Sequence, residues 1–364
     1  MKQNYKIPKL PLAEDIETKG VLKKVTEARA ALAELKGIHA SVPNVGILLN
    51  TLALQEAKDS SAVENIITTH DELFKAELDL NLVKNISAKE VQRYSMALRQ
   101  GFELVQKNRL ITNSIVLSIH RVLEQNDAGY RKVPGTDLKN DKTGEVIYTP
   151  PQSLMEIQSS MTELIEYIND DSLDDYDYLI KLAIIHHQFE SIHPFYDGNG
   201  RLGRIINILY LISKGLLDYP TLYLSRYIIQ NKSEYYRLLQ EVRDTGSWEG
   251  WILYILEAVI SVSKQSSSLI KEIKFVMQSY KNTIRSKYPK IYTQDLLNNI
   301  FKHPYTKIDF LQEDLNITRQ TASKYLDTIA KDEANLLTKV KIGRDNYFIN
   351  DGLMNLFTQY DYKL

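Results

Sequence analysis

The sequence predicts a mainly α-helical protein with one short β-hairpin in its body and a small helix-and-hairpin domain at its end. Three observations predict it. Apolar residues recur at three- and four-residue spacing through most of the chain, the period of helices that bury one face. Within the first 280 residues that period changes once, from Gly129 to Pro151, around a polar turn. After Lys281 the composition shifts, to three short helices and then two strands. With 364 residues, 43% hydrophobic and 25% charged, the chain has core enough for two to three domains.

Composition narrows the class. A formal net charge of -1 argues against a surface wholly tuned for nucleic acid, although local patches stay possible. The absence of cysteine excludes disulfides and thiol catalysis. The first twenty residues lack the apolar core of about 7–15 residues that marks a signal peptide. No apolar run approaches the roughly 20 residues that cross a bilayer. The expectation is a soluble, cytoplasmic protein without a membrane partner.

Residues 1–17 form an extended arm marked by prolines. Leu22, Val25, Leu32 and Leu35 then set a helix that ends at Gly37. A second helix runs from Val45 to about Lys58, where Asp59-Ser60-Ser61 is expected to break it. Ser61-Ala62-Val63-Glu64 is expected to open the next, with Val63, Ile66, Ile67, Leu73 and Phe74 inside. Helical spacing returns at about 88–107 and 112–125. Arg131–Gly135 and Glu145–Tyr148 flank the turn Asn140-Asp141-Lys142-Thr143-Gly144 and read as a hairpin. An isolated hairpin on a helical body suits a lid or a docking edge better than a core element. Pro150-Pro151 stops it, and helices resume at about 153–168, 176–191, 200–214, 231–242 and 248–276. Helices at 293–302, 307–315 and 318–331, then strands at Leu336–Val340 and Asn346–Ile349 around Gly343-Arg344-Asp345, make a winged-helix pattern. The expected domains are 1–87, 88–280 and 281–364.

The chemistry concentrates in Ile192-His193-Pro194-Phe195-Tyr196-Asp197-Gly198-Asn199-Gly200-Arg201-Leu202-Gly203-Arg204, a loop between two apolar helices. Gly198 and Gly200 permit positive φ, which turns successive N–H groups toward one point. Placed at a helix start, that concavity suits an anion. Arg201 and Arg204, three residues apart, can reach the same phosphate. Asp197 beside them suits Mg²⁺. His193 can take a proton from an incoming hydroxyl at neutral pH. A base, a metal carboxylate and an anion cradle together describe nucleotide transfer.

This stretch matches His-Pro-Phe-x-x-Gly-Asn-Gly-Arg-x-x-Arg without a gap, at His193, Pro194, Phe195, Gly198, Asn199, Gly200, Arg201 and Arg204. It resembles the signature of the Fic family of protein adenylyltransferases. The resemblance implies a Fic fold, a helical bundle with a β-hairpin flap, followed here by the winged helix. It also implies transfer of AMP from ATP to a Ser, Thr or Tyr hydroxyl of a target or of the chain itself, with pyrophosphate leaving. In it His193 is the general base and Asp197 carries Mg²⁺. Asn199, the Gly198–Arg201 backbone, Leu202, Gly203 and Arg204 form the ATP phosphate site. A Fic enzyme removing AMP is the alternative within this chemistry. A nucleotide-sensing DNA-binding regulator is the alternative outside it, against which the intact His193 speaks.

Other features carry two readings each. Ser61 and Glu64 fit a capping box, while Ser60-x-x-x-Glu64-Asn65 resembles the Fic inhibitory motif, in which Glu64 would pair with Arg204 and take the place of the ATP γ-phosphate. The hairpin is a surface excursion or, by resemblance, the flap, with Val146, Ile147 and Tyr148 nearest the nucleotide and an extended target segment added at its edge. Tyr235 and Tyr236 pack in the core or line the adenosine pocket; Arg243 lies nearby. His186 and His187, with Glu190, suggest a metal site, yet adjacent residues on a helix point apart, which favours packing or orientation of His193. In the winged helix, Arg319 and Lys324 with Lys339, Lys341 and Arg344 suit DNA, whereas Asp327, Asp332 and Glu333 break the basic face and suit protein docking. A homodimer is a further possible partner arrangement.

Overall fold

The computed structural model describes residues 5–78, 85–139, 143–342 and 345–362. Helices dominate it. α1 (Lys19–His39) begins where the Thr18 side chain accepts the Val21 N–H. It lies along the long helix α11 (Glu249–Lys287), burying Val21, Val25, Leu32 and Leu35. α2 (Val45–Val63) packs on α4 (Ile86–Asn108), and α4 packs on α5 (Asn113–Glu124). α3 (His70–Leu78) joins α2 to that layer. α6 (Leu154–Asn169) opens with a complete capping box formed by Ser153 and Glu156.

At the centre is α7 (Tyr178–Ile192), which is buried from Leu179 to Ile192. A helix buried on all sides belongs inside a bundle, and α7 is contacted by α1, α6, α11 and α8 (Asn199–Ser213). The interval between α7 and α8 is therefore held on both sides by buried helices. α9 (Leu224–Gln230) and α10 (Lys232–Thr245) close the bundle beside it.

The C-terminal part builds α12 (Gln294–Lys302), α13 (Ile308–Leu315), α14 (Arg319–Ala330) and α15 (Asp351–Tyr362). With the body's hairpin strands β1 (Leu138–Lys139) and β2 (Val146–Tyr148) counted first, its strands are β3 (Tyr305–Lys307), β4 (Leu337–Ile342) and β5 (Asp345–Asn350). They form an antiparallel sheet ordered β3-β5-β4. This part leans on the N-terminal helices: Phe74 lies 6.0 Å from Tyr305 and 5.9 Å from Phe357, and the Tyr305 hydroxyl donates to Asp71.

Four expectations are corrected. α2 does not break at Asp59-Ser60-Ser61 but continues to Val63, because Asp59, Ser60 and Ser61 are buried against the core and Ser60 is bound by Arg204. Ser61-x-x-Glu64 is therefore no capping box: Glu64 caps the end of a helix instead of starting one. Arg131–Gly135 is not a strand, since the Arg131 side chain is buried among backbone carbonyls; the hairpin pairs Leu138 with Tyr148 and Lys139 with Val146. The last long helix does not stop near residue 276, because Met277, Tyr280 and Ile284 continue its buried face. β3, α9 and α15 add elements absent from the sequence reading. Asn140, Asp141, Lys142, Gly343 and Arg344, named in the two turns, lie outside the described residues.

Candidate active site

His193 ends α7 in the left-handed conformation, φ 47°, with its N–H donating 3.0 Å to the Phe189 carbonyl. The chain turns sharply there and is stapled by Asn199. The Asn199 Oδ1 accepts the Phe195 N–H at 2.9 Å, and its Nδ2 donates to the Phe195 carbonyl at 2.8 Å. Both polar ends of Asn199 are thus spent on the loop's own backbone, so it shapes the cradle, and any phosphate would meet main-chain N–H groups. Gly198, at φ 75°, opens α8 with no side-chain cap. The first helical N–H groups are left for a ligand, and the helix dipole favours an anion there. Leu202 and Gly203 sit on that first turn, buried against the core.

A carboxylate from elsewhere in the chain already occupies the cradle. Glu64 Oε1 lies 2.9 Å from Arg204 Nη2, and Oε2 lies 2.7 Å from Arg201 Nε. Gly200 makes this approach possible, because a Cβ there would come within 2.7 Å of Glu64 Oε1. Arg204 also donates from Nε to the Ser60 hydroxyl at 2.7 Å and from Nη2 to the Ser60 carbonyl at 2.9 Å. Asn65, at φ 65°, terminates α2 and is held by Lys232 Nζ, 3.2 Å from its Oδ1. Ser60 and Glu64 thus reach the loop, Glu64 at Arg204, the partner the sequence pattern implied, and also at Arg201, which it did not name, while Asn65 turns away to Lys232. Sequence reasoning missed Glu124, whose Oε1 lies 3.2 Å from Arg201 Nη2.

Burial, then the guanidiniums of Arg131 and Arg243, pushes the His193 imidazole down to about 4. The ring is therefore neutral at physiological pH and able to accept a proton. Arg131 fixes the turn from below: Nε donates 2.8 Å to the His193 carbonyl, and Nη2 donates to Pro151 and, at 3.4 Å, to Ile192. Its N–H donates 2.9 Å to the Pro194 carbonyl. The sequence placed this residue in a strand; no local pattern marks a buried arginine.

The hairpin sits over the same end of α7. Tyr148 is buried and donates 2.8 Å to the Ser191 carbonyl, with the Arg243 guanidinium 4.0 Å over its ring. Ile147 is half-buried and Val146 is 39% exposed. The Tyr196 hydroxyl accepts the Lys132 and Val133 N–H groups, at 2.8 and 3.1 Å, and so pins the segment leading to the hairpin. Tyr235 lies in the core, 2.9 Å from His186 Nε2 and 5.5 Å from the Trp251 ring. Tyr236, next to it, is 48% exposed. His186 and His187 are both buried, and His187 Nε2 donates 3.1 Å to the Leu239 carbonyl. Both histidines are committed to packing between α7 and α10. Glu190, on the same helix, has its carboxyl pushed up to about 7 by burial, with Arg204 pulling the other way.

Asp197 fits a Mg²⁺ site by its surroundings. Its side chain is 80% exposed at the mouth of the cradle, and Oδ1 accepts the Gly198 N–H at 2.7 Å. A single hard carboxylate open to water suits an ion that retains most of its water and takes its remaining ligands from phosphate.

Known proteins resemble this chain in sequence and fold. Residues 22–103 match the family described as Fic/DOC family N-terminal, residues 110–211 match the Fic/DOC family, and residues 276–353 match the C-terminal domain of SoFic-like protein adenylyltransferases. A probable protein adenylyltransferase of Aquifex aeolicus is 28% identical over 203 residues, 54% of this chain and 57% of that protein. The protein adenylyltransferase fic-1 of Caenorhabditis elegans is 29% identical over 110 residues, 30% of this chain and 20% of that protein. The chain thus spans less than two thirds of these relatives. Among solved structures, a Fic family protein of Desulfovibrio desulfuricans G20 superposes with TM-score 0.57 at 17% identity, covering 92% of this chain and 97% of that one. A C. elegans Fic-1 fragment gives TM-score 0.54 at 20% identity, covering 69% and 73%. These two share the fold.

Proposed function

Because the chain belongs to the Fic/DOC family, we propose that it is a protein adenylyltransferase held in check by its own Glu64. The observation that carries the reading is Glu64 bridging Arg201 and Arg204 in a cradle otherwise built for phosphate. ATP would place its phosphates on the N-terminus of α8. The target hydroxyl oxygen attacks the α-phosphorus, the bond to the bridging oxygen breaks, and pyrophosphate leaves. His193 accepts the hydroxyl proton. Arg201 and Arg204, which now face Glu64, would bind the phosphates, so carboxylate and nucleotide compete for the same donors. Mg²⁺ at Asp197 would neutralise phosphate oxygens.

The target segment would add to the hairpin edge: among the described residues β2 pairs with β1 alone, and Val146 faces solvent. Main-chain pairing accepts many sequences, which suits Ser, Thr or Tyr at the attacking position, on another protein or on this chain. The same latch would serve an enzyme that removes AMP, with Glu64 aligning water, and the deciding experiment separates the two. With α-labelled ATP, Glu64→Gly is expected to raise label transfer at least tenfold over the natural chain. Flat or reduced labelling, together with release of AMP from a modified protein by the natural chain, would replace transfer with removal.

A further inference from the structure

Glu124 stands outside the signature loop, yet it is built into the loop's mechanics. Its Oε1 lies 3.2 Å from Arg201 Nη2, and its side chain is 13% exposed. A Cβ on Gly198 would run into the Glu124 carboxylate, so the glycine that opens α8 also makes room for this acid. Burial pushes its carboxyl up, and Arg201 pulls it down. Removing the cation would strand a buried carboxylate, which is costly, so each member of the pair restrains the other.

Arg201 therefore meets two carboxylates at different atoms. Glu64 stands at Nε and Glu124 at Nη2. Asp197 Oδ1 is farther from Nη2, at 3.7 Å, and open to water. The two close partners differ in what else their helices hold. Glu64 caps the end of α2 and is the last helical contact before a loop. Glu124 lies in the last turn of α5, and that helix is fastened to the loop again one turn earlier. His120 donates 3.1 Å to the Asp197 carbonyl and stacks on Phe195 at 3.8 Å. α2 grips Arg204 through Ser60 one turn before Glu64, whereas α5 touches the loop backbone and Phe195 themselves, so Glu124 approaches Arg201 from the helix that shapes the loop.

We propose that Glu124 is the positioning residue for Arg201. It holds the guanidinium by Nη2, so that the Nε edge covered by Glu64 is presented to ATP phosphates once Glu64 leaves. The ligand in this proposal is taken from the adenylyltransferase reading. A second inhibitory carboxylate is the rival, and it predicts the opposite sign.

The test places Glu124→Ala and Glu124→Gln in a Glu64→Gly background of the full chain. ATP and adenosine binding are measured by titration, and kcat and KM for ATP by label transfer. Glu124→Ala is expected to weaken ATP binding and raise KM about tenfold, with kcat within about twofold and adenosine affinity unchanged. Glu124→Gln, which keeps the shape and a polar oxygen beside Nη2 but not the charge, is expected to lose less. Should Glu124→Ala fail to fold, the Gln variant decides by a smaller shift of the same sign. Unchanged ATP binding in the folded variants, or tighter binding with faster transfer, would overturn the proposal. A Glu64→Gly parent that binds ATP but transfers nothing sinks the adenylyltransferase reading, while the binding measurements still decide Glu124. A parent that does not bind ATP sinks both.

Discussion

Arg204 is bound twice by Ser60: its Nε donates 2.7 Å to the Ser60 hydroxyl, and its Nη2 donates 2.9 Å to the Ser60 carbonyl. The contact on Arg204 is thus a helix end, with the Glu64 carboxylate only its tip. α2 reaches the loop because Asn65 stops it one residue after Glu64. Hydrogen bonds to a charged group contribute about 1.5–3 kcal/mol, and Ser60→Ala removes one of three contacts while leaving the carbonyl in place. Basal label transfer by Ser60→Ala is expected to rise about tenfold, the low end of that range, and less than in Glu64→Gly. A rise equal to that of Glu64→Gly would mean that Ser60 carries the latch alone.

His193 supplies a pH prediction of definite sign. Burial and the two neighbouring guanidiniums hold its imidazole at about 4, below the usual value. A lowered histidine is neutral above that pH and loses base strength only as pH falls through it. In the Glu64→Gly background, kcat/KM at pH 5.5 is therefore expected within about twofold of its value at pH 7.5. A histidine at its ordinary value of about 6.5 would have lost roughly tenfold by then. His193→Ala should lower transfer by about 10²–10⁴ fold at every pH.

What the sequence revealed follows from range. The loop from His193 to Arg204 was legible because its parts are contiguous and its φ demands select glycine. The flanking helices were legible from their period. Glu64 was found by pattern, but the local reading of Asp59-Ser60-Ser61 as a break failed, since buried contacts with Arg204 and Arg226 override the weak helix propensity of those residues. Glu124 and Arg131 were invisible in their roles, because each acts on the loop from a distant stretch; Arg131 and His193 are 62 residues apart. α9, seven residues without a side-chain cap, gives too little period to detect.

Arg131 also yields a stability prediction. It is fully buried, and its side chain donates to the carbonyls of His193, Pro151 and Ile192. Truncation leaves those carbonyls without their donor, and removing one partner from a buried polar group costs about 1–3 kcal/mol. Arg131→Ala is expected to lower unfolding free energy by about 3 kcal/mol in denaturant titration, with transfer falling further than stability alone explains. Arg131→Lys should restore little, because one ammonium cannot span the fork.

The winged helix separates DNA from protein docking by charge pairing. Arg319, at the start of α14, pairs with Asp309, and Lys339 on β4 pairs with Asp327 at 2.7 Å. Lys324 and Lys341 remain from the set the sequence singled out, and Arg344 lies outside the described residues. Cations already neutralised release few counterions on binding a duplex, so affinity and its salt dependence should both be low. Random duplex DNA is expected to bind more weakly than about 10 μM at 50 mM salt. Asp309→Asn with Asp327→Asn frees Arg319 and Lys339, the two cations named above, along with Lys307, which lies 3.8 Å from Asp309. That variant should bind more tightly and steepen the slope of log affinity against log salt by about 1.8, two phosphate contacts at about 0.9 each. Tight, steeply salt-dependent binding by the natural chain would show instead that these ion pairs open for DNA and that the domain's partner is nucleic acid.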